Sequence, residues 1–493
     1  MQQLTRVVVR NSALGIGAQF AIKALSFGFT ILIVRHLGPE AFGQYAAALA
    51  FGGMFIFLAD LGLSPYLVRE VARMRGEPGG PERVGELYGA VLPLRLVLSL
   101  VAAVVVVAAA SLTGRPPLMI VAIALGGIGL VIYGVQGTSD AVLAGFERLD
   151  LSAAAKLINQ LVFVVFGAAA LWLGLSYPGL MIAAILGAAV IAYLSWRWVR
   201  RLGVAPGRPS ARSWRALLGA SWPFAIGGLA LALSYRFDSV LLNIFRGDAE
   251  TGYYNAVYNL VFTAAFLPYS LNSALYPSLT RHAASLLDGL PRVCERMIRY
   301  LLILGLPIAV SAWVLADRIV PFLFTAAYAA AIPALQIVMI VTPLMFMSDL
   351  LGYVAVIQRF ERRIARAAIV STGLNVTLNL VLVPRFGLLA AAVMTVVTEA
   401  ALVVQYVWIL RSLVRQIDWG TALARPLAAA LSMGGLLFAL HDFPLLISIP
   451  SGTLAYLALL LALGVIGTDE FRFVRGLRGT SSLVVSVPTD SQR

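Results

Sequence analysis

Three cations and four carboxylates stand where hydrocarbon should be. Lys23 lies near the middle of an apolar stretch over 12–34, Arg95 in one over 86–111 just after Pro93, and Arg236 in one over 217–244. A charge at such depth is costly unless it faces a wet cavity or a partner, so each marks an ion or charged-ligand site. Gln19, Lys23, Ser26 and Thr30 follow Gly15 at helical spacing, a polar stripe suited to lining a cavity. The rival for Lys23 is a pair within its own helix cluster; for Arg95 it is snorkelling to the interface. Asp238 is two residues from Arg236, so the two point to different faces and do not neutralise each other directly. Asp238 is a candidate for a coupling proton or sodium ion, or else for a structural pair. Glu399 sits mid-stretch with Thr395 one turn before it, either a proton carrier or an internally hydrogen-bonded group. Asp349 and Asp60 lie nearer the ends of their stretches and suit gates or helix ends. Asn255 and Asn259 are one turn apart, as are Ser371, Asn375 and Asn379. Such amide stripes bind hydroxylated ligands or glue helices together.

The elements that position these residues are helices in lipid. The 493 residues are 60% hydrophobic and 12% charged, with a mean hydropathy of +0.90. A soluble chain of this length would break into charged-surfaced domains. The apolar stretches have the length of membrane-spanning helices, and barrel-type alternation is absent. Fourteen are expected, near 12–34, 42–64, 86–111, 117–139, 154–174, 178–199, 217–244, 252–275, 297–316, 331–357, 364–383, 387–410, 422–440 and 443–466. The first is too long for the apolar core of a cleavable signal and reads as a retained helix. The lone Cys294 excludes an intrachain disulfide and is placed in a cytoplasmic loop. His36, His282 and His441 lack metal-ligand spacing, so no metal or other cofactor is expected.

The net charge of +14 reflects loop topology, not a nucleic-acid partner. With the N-terminus inside, 29 of the 37 Lys/Arg fall in cytoplasmic segments or at the cytoplasmic ends of spans, five in periplasmic loops and three deeper within spans. Both termini are therefore expected in the cytoplasm. The chain also repeats. Gly38-Pro39-Glu40-Ala41-Phe42-Gly43-Gln44-Tyr45 returns as Gly247-Asp248-Ala249-Glu250-Thr251-Gly252-Tyr253-Tyr254, Phe146-Glu147-Arg148 as Phe360-Glu361-Arg362, and Trp198 as Trp408. Six spans per copy make the repeat parallel, about an axis along the membrane normal. The expected units are an N-lobe over 1–200, a basic linker over 201–216, a C-lobe over 217–411, a helix pair over 412–471 and a polar tail over 472–493. Arg69–Glu86 and Arg281–Arg299 occupy matching places and suit amphipathic surface helices. Trp196, Trp198, Trp408 and Trp419 read as interface anchors. Paired halves that rock about a central site are a carrier's architecture.

These features resemble the multidrug/oligosaccharidyl-lipid/polysaccharide exporter superfamily. The run Arg35-His36-Leu37-Gly38-Pro39-Glu40-Ala41-Phe42-Gly43-Gln44-Tyr45 is similar to its polysaccharide-transporter (Wzx-type flippase) branch, as are Ser234-Tyr235-Arg236-Phe237-Asp238 and the Gly-Tyr-Tyr turn that follows. The resemblance covers about residues 5–470. It implies an all-α integral membrane protein with two six-helix lobes plus a C-terminal pair. It further implies a bacterial inner-membrane flippase that moves a polyprenyl-diphosphate-linked oligosaccharide from the cytoplasmic to the periplasmic leaflet by alternating access. Membrane lipids, and polymerases or glycosyltransferases, are then its expected partners. Lys23, Arg95 and Arg236 would hold the pyrophosphate, with Gln19, Asn255, Asn259 and Asn375 toward the sugar. Asp238, Glu399 and Asp349 would serve a coupling H+ or Na+.

The nearest rivals share that fold. A multidrug cation antiporter needs an acidic or aromatic cavity, against which three mid-span cations argue. A peptidoglycan-precursor flippase uses the same physics on another sugar. A membrane-embedded glycosyl transferase would need sizeable periplasmic loops rich in carboxylates, and these loops are short.

Overall fold

The computed structural model describes residues 2–112, 114–207, 211–268 and 290–465, and side chains within these except 2–18, 211, 212, 231, 234 and 235. The surroundings of Gly15, the side chains of Ser234 and Tyr235, the segment 281–289 and the tail lie outside the described residues. Helices run α1 Gln2–Asp60, α2 Leu63–Met74, α3 Gly80–Leu112, α4 Pro117–Gly145, α5 Leu149–Trp172, α6 Ser176–Arg201, α7 Ala211–Arg246 and α8 Asp248–Ala264. They continue as α9 Leu290–Val314, α10 Ala316–Phe324, α11 Ile332–Val338, α12 Val341–Ile357, α13 Glu361–Ile409, α14 Arg425–Ala439 and α15 Leu445–Ala462. Among the described residues nine helices are long and apolar enough to span a membrane, or ten if α11 and α12 count as one bent span.

Two of the nine are double length and broken by glycine. α1 breaks at Gly38 (φ 72°, ψ 173°) and α13 at Gly387 (φ 57°, ψ −135°). A side chain resists positive φ, and a nearby proline (Pro39, Pro384) lacks the amide that would carry the ladder through. α13 doubles back there, because Gln405 of its second part donates to Ser371 of its first at 2.9 Å. Gly247 ahead of α8 takes the same backbone as Gly38, φ 89° and ψ −174°. The two motif copies thus open identically. The Phe-Glu-Arg anchors share a turn but not a register. The left-handed residue is Glu147 in the first copy and Arg359 in the second, so Phe360-Glu361-Arg362 lies two places beyond the true counterpart.

The stretch 331–357 bends near Pro343: Ala326–Val338, which ends with α11, and α12 meet at 44°. Pro343 removes an amide and its ring crowds the carbonyl of Met339, where α11 has just ended. The structure corrects two other expectations. Cys294 is no loop residue; it is buried in α9, which starts seven residues before the expected span. The amphipathic surface helix α2 begins before Arg69, burying Leu63, Leu67 and Val71 at four-residue spacing. Its outer face carries Arg69 and Arg73, both paired to Glu70. Such exposed pairs are worth only about 0–1 kcal/mol.

One apolar core runs from α1 through α4 and α6 to α8, α10, α11 and α13, joining the N-terminal half (α1–α6) to the C-terminal half (α7–α13). A second core links α9, α12 and α13 to α14 and α15. A third seats α2 on α3, α4 and the linker that leads into α7.

Candidate functional site

The mid-span cations separate into two kinds. Arg95 is fully buried within the N-terminal half. Its Nη2 lies 2.6 Å from Asp60 Oδ1, its Nη1 donates to Ser64 Oγ at 2.8 Å, and its guanidinium stacks on Tyr133. Asp60 also accepts from the Ser64 hydroxyl and amide, so the cluster pins the Leu61–Gly62 turn between α1 and α2. Removing one partner of a buried pair strands the other. Arg95→Ala should therefore cost about 3–5 kcal/mol of stability, read as a lowered melting temperature in detergent. An unchanged melting temperature would deny Arg95 this structural part.

Lys23 and Arg236 are different. Both side chains are exposed, and each reaches the opposite half. Lys23 Nζ stands 5.8 Å from the ring of Phe266, beyond α8, and Phe20 packs edge-on against the same ring. Arg236 of α7 lies over Gly53 of α1, where an added Cβ would fall 3.1 Å from its Nε. Gln19, one turn before Lys23, is exposed as well.

The carboxylates gather elsewhere, around one cavity of about 570 Å³ in the C-terminal half. Asp238, Asp349 and Glu399 all line it, and Asn375 lies beside them. Among the described residues no Lys or Arg lines this cavity. Asp238 is buried. Its Oδ2 accepts from Tyr254 OH at 3.0 Å and its Oδ1 from Asn379 Nδ2 at 2.9 Å. Tyr254 OH lies 3.1 Å from Thr395 Oγ1. The side-chain oxygens of Asn375 and Asn379 are buried without a donor among the described residues. α7, α8 and the two parts of α13 thus bring together a carboxylate, two amide oxygens and two hydroxyls, an oxygen-rich set that suits a small hard cation or a proton. Glu399 accepts from Ser348 Oγ of α12. Tyr254 and Asn379 completed this cluster although the sequence reading gave them no part in ion chemistry; the i, i+4 spacing of Asn375 and Asn379 was the available signal.

Asn255 and Asn259 spend their amides locally. Asn255 donates to Thr251 O at 2.9 Å and accepts from Ser239 at 3.1 Å; Asn259 donates to Asn255 O at 2.7 Å. They tie α8 to itself and to α7.

The repeated motif itself forms a junction. Gly43 and Gly252 hold corresponding places in the two copies. A Cβ at Gly43 would overlap the carbonyl of Asp248, and one at Gly252 the carbonyl of Pro39. The copies are therefore packed backbone to backbone. Polar contacts brace them: Gln44 and Asn243 donate to Asp248 at 2.9 and 2.6 Å, and Arg115 to Asn243 O at 3.0 Å. Tyr328 OH donates to Val34 O at 3.2 Å. At the other end the halves meet through Gly62, which abuts Ser221 and Ala225 of α7.

Two halves in contact at both ends, with cations at their junction and an acidic cavity beside it, make a multi-pass membrane carrier. The sequence profile described as polysaccharide biosynthesis protein matches residues 8–282, and the chain belongs to that family. The chain is 22% identical over 424 residues to a probable low-salt glycan biosynthesis flippase, Agl15, of Haloferax volcanii, covering 82% of this chain and 86% of the relative. It is 21% identical over 429 residues to an uncharacterized membrane protein, MJ1068, of Methanocaldococcus jannaschii, covering 80% and 82%. Among solved structures it shares the fold of a lipid II flippase, MurJ, in an inward closed conformation, with a TM-score of 0.77 at 13% identity over 94% of this chain and 100% of that one. It also matches an inward-facing multidrug-resistance MATE transporter of the MOP superfamily, with a TM-score of 0.61 at 16% identity over 80% and 94%.

Proposed function

We propose that this protein flips a polyprenyl-diphosphate-linked oligosaccharide from the cytoplasmic to the outer leaflet by alternating access, and makes or breaks no covalent bond. The coarse part, a flippase for lipid-linked glycans, is supported by the family and by the haloarchaeal flippase relative. The observation that carries the finer part is the placement of Lys23 and Arg236. They are mid-span cations, exposed, each against the opposite half. A dianionic diphosphate needs such groups where the halves part, and Arg gives it forked contacts. Arg95, neutralised by Asp60, serves the architecture instead.

Loop charge supports both termini in the cytoplasm, which puts the Gly38 end outside and α2 at the inner surface. The Gly43–Gly252 packing is then the outer gate. The Asp238 cluster is the coupling site: a buried carboxylate facing only neutral donors is stable when a proton or Na+ neutralises it.

In a strain lacking the protein, lipid-linked glycan should accumulate on the cytoplasmic side. Wild type should relieve this; Lys23→Ala and Arg236→Ala should not, although both insert and fold. Full relief by both variants would sink the diphosphate role. The acidic cavity in the C-terminal half also suits a cation antiporter on this fold. Altered sensitivity to cationic drugs with no glycan build-up would select that reading.

A further inference from the structure

A second basic site lies on the C-terminal half, lined among the described residues only by α13 and the residues that flank its two ends. The two parts of α13 leave a groove of about 650 Å³ between their ends, lined by Arg363, Arg366 and Val370 of the first part and by Gln405 and Trp408 of the second, with Arg411 beyond. Its apolar floor is open: Trp408 is 66% exposed, and Val370 is exposed too. Two of the three arginines are held against aromatic rings, and none is neutralised among the described residues. Arg363 stacks on Phe360 at 4.7 Å and Arg411 on Trp408 at 5.6 Å. None of the three takes part in an ion pair among the described residues. Trp408 and Arg411 also form one wall of an adjoining groove of about 610 Å³, which Val404 lines and Arg415 closes.

We infer that this double groove binds one anionic phospholipid, its phosphate among Arg363, Arg366 and Arg411 and its acyl chains over Val370 and Val404 on either side of Trp408. Several features favour such an occupant. Unpaired arginines beside an exposed tryptophan at a helix end match the headgroup level, where basic pockets between helices take lipid phosphates. Guanidinium groups fit phosphate oxygens two at a time. The apolar strip at the mouth would otherwise face the bilayer with no specific partner. Among the described residues none of α1, α7 or α8 lines either groove, so the lipid is a resident of the lobe surface and not the cargo in transit. The inference rests only on membrane insertion, so it stands or falls separately from the cargo.

The test uses the full-length purified protein and native mass spectrometry after exchange into mixed phosphatidylglycerol and phosphatidylcholine. Wild type should retain phosphatidylglycerol over phosphatidylcholine. The triple variant R363Q/R366Q/R411Q should lose about 100-fold in that preference, each arginine contributing about fivefold. Arg201→Gln, on the exposed end of α6, should leave it unchanged. The single variant R363Q, expected to lose about fivefold, decides the matter if the triple does not fold. Equal retention of both lipids, or unchanged preference in the arginine variants, overturns the inference. So does displacement by sn-glycerol 1-phosphate, which would make this a site for free phosphate esters, or by a polyprenyl phosphate, which would make it a cargo site.

Discussion

Asp238→Asn should abolish the response of transport to an ion gradient while leaving the protein folded. The substitution keeps the shape and one acceptor oxygen, so one of the bonds from Tyr254 and Asn379 can persist. What it removes is the charge that a proton or Na+ must neutralise. One elementary charge moved through 100 mV is worth about 2.3 kcal/mol, which is about 50-fold in rate or accumulation. That is the expected loss at such a potential. In proteoliposomes, wild type should flip faster when a Na+ or proton gradient is imposed, and the choice of ion names the coupling species. The variant should run at the ungradiented rate under both. Glu399→Gln separates the two carboxylates. It keeps a side-chain oxygen for the Ser348 bond, and gradient dependence should survive in it. Retention of full gradient dependence by Asp238→Asn would remove the cluster from coupling.

Gly252→Val should hold the outer gate ajar. The site has no room for a side chain, because the Pro39 carbonyl already occupies the place of a Cβ. The halves must separate, and overpacking of this kind costs about 1–3 kcal/mol. As a bias on a two-state equilibrium that is about 5- to 150-fold. Gly43→Val presses on Asp248 from the other copy and should act the same way. The readout is a reporter cysteine at Ala48, which is buried one turn below the gate, in a Cys294→Ser background. A membrane-impermeant maleimide added outside should label it slowly in the wild-type gate and quickly with either valine. Transport should fall in parallel, since a carrier that cannot close outside cannot cycle. Slow labelling with normal transport would mean the glycine contact is no gate. Gln44→Ala, which removes only one brace on Asp248, should have a smaller effect of the same sign.

Much of this arrangement was legible in the residues. Helical spans show as long apolar runs because lipid leaves the backbone no other partners. The Gly38 and Gly247 motifs showed as a repeat because both copies need positive φ at one place and bare backbone five residues later. That second requirement, Gly43 against Gly252, is a relation between distant segments, and nothing in either segment announces the other. Arg95 illustrates the same limit. Its depth in the membrane signals a costly charge, but whether Asp60 or a ligand compensates it depends on how the turn at Gly62 folds α2 back. The bend between α11 and α12 was legible from Pro343, because a proline inside an apolar run removes an amide from the ladder. The Asp238 cluster needs α7, α8 and both parts of α13 at once. Only its Asn375/Asn379 spacing was local enough to see.

The central claim is movement of a lipid-linked glycan between leaflets, and the most direct measurement is of that movement. Purified protein would be reconstituted into vesicles carrying the polyprenyl-diphosphate oligosaccharide, with a membrane-impermeant glycosidase or lectin reporting the exposed fraction. Wild type should drive exposure from about half toward completion, and Lys23→Ala and Arg236→Ala should leave the inner half protected. A glycan that stays protected with wild-type protein, or equal exposure with both variants, would contradict the account.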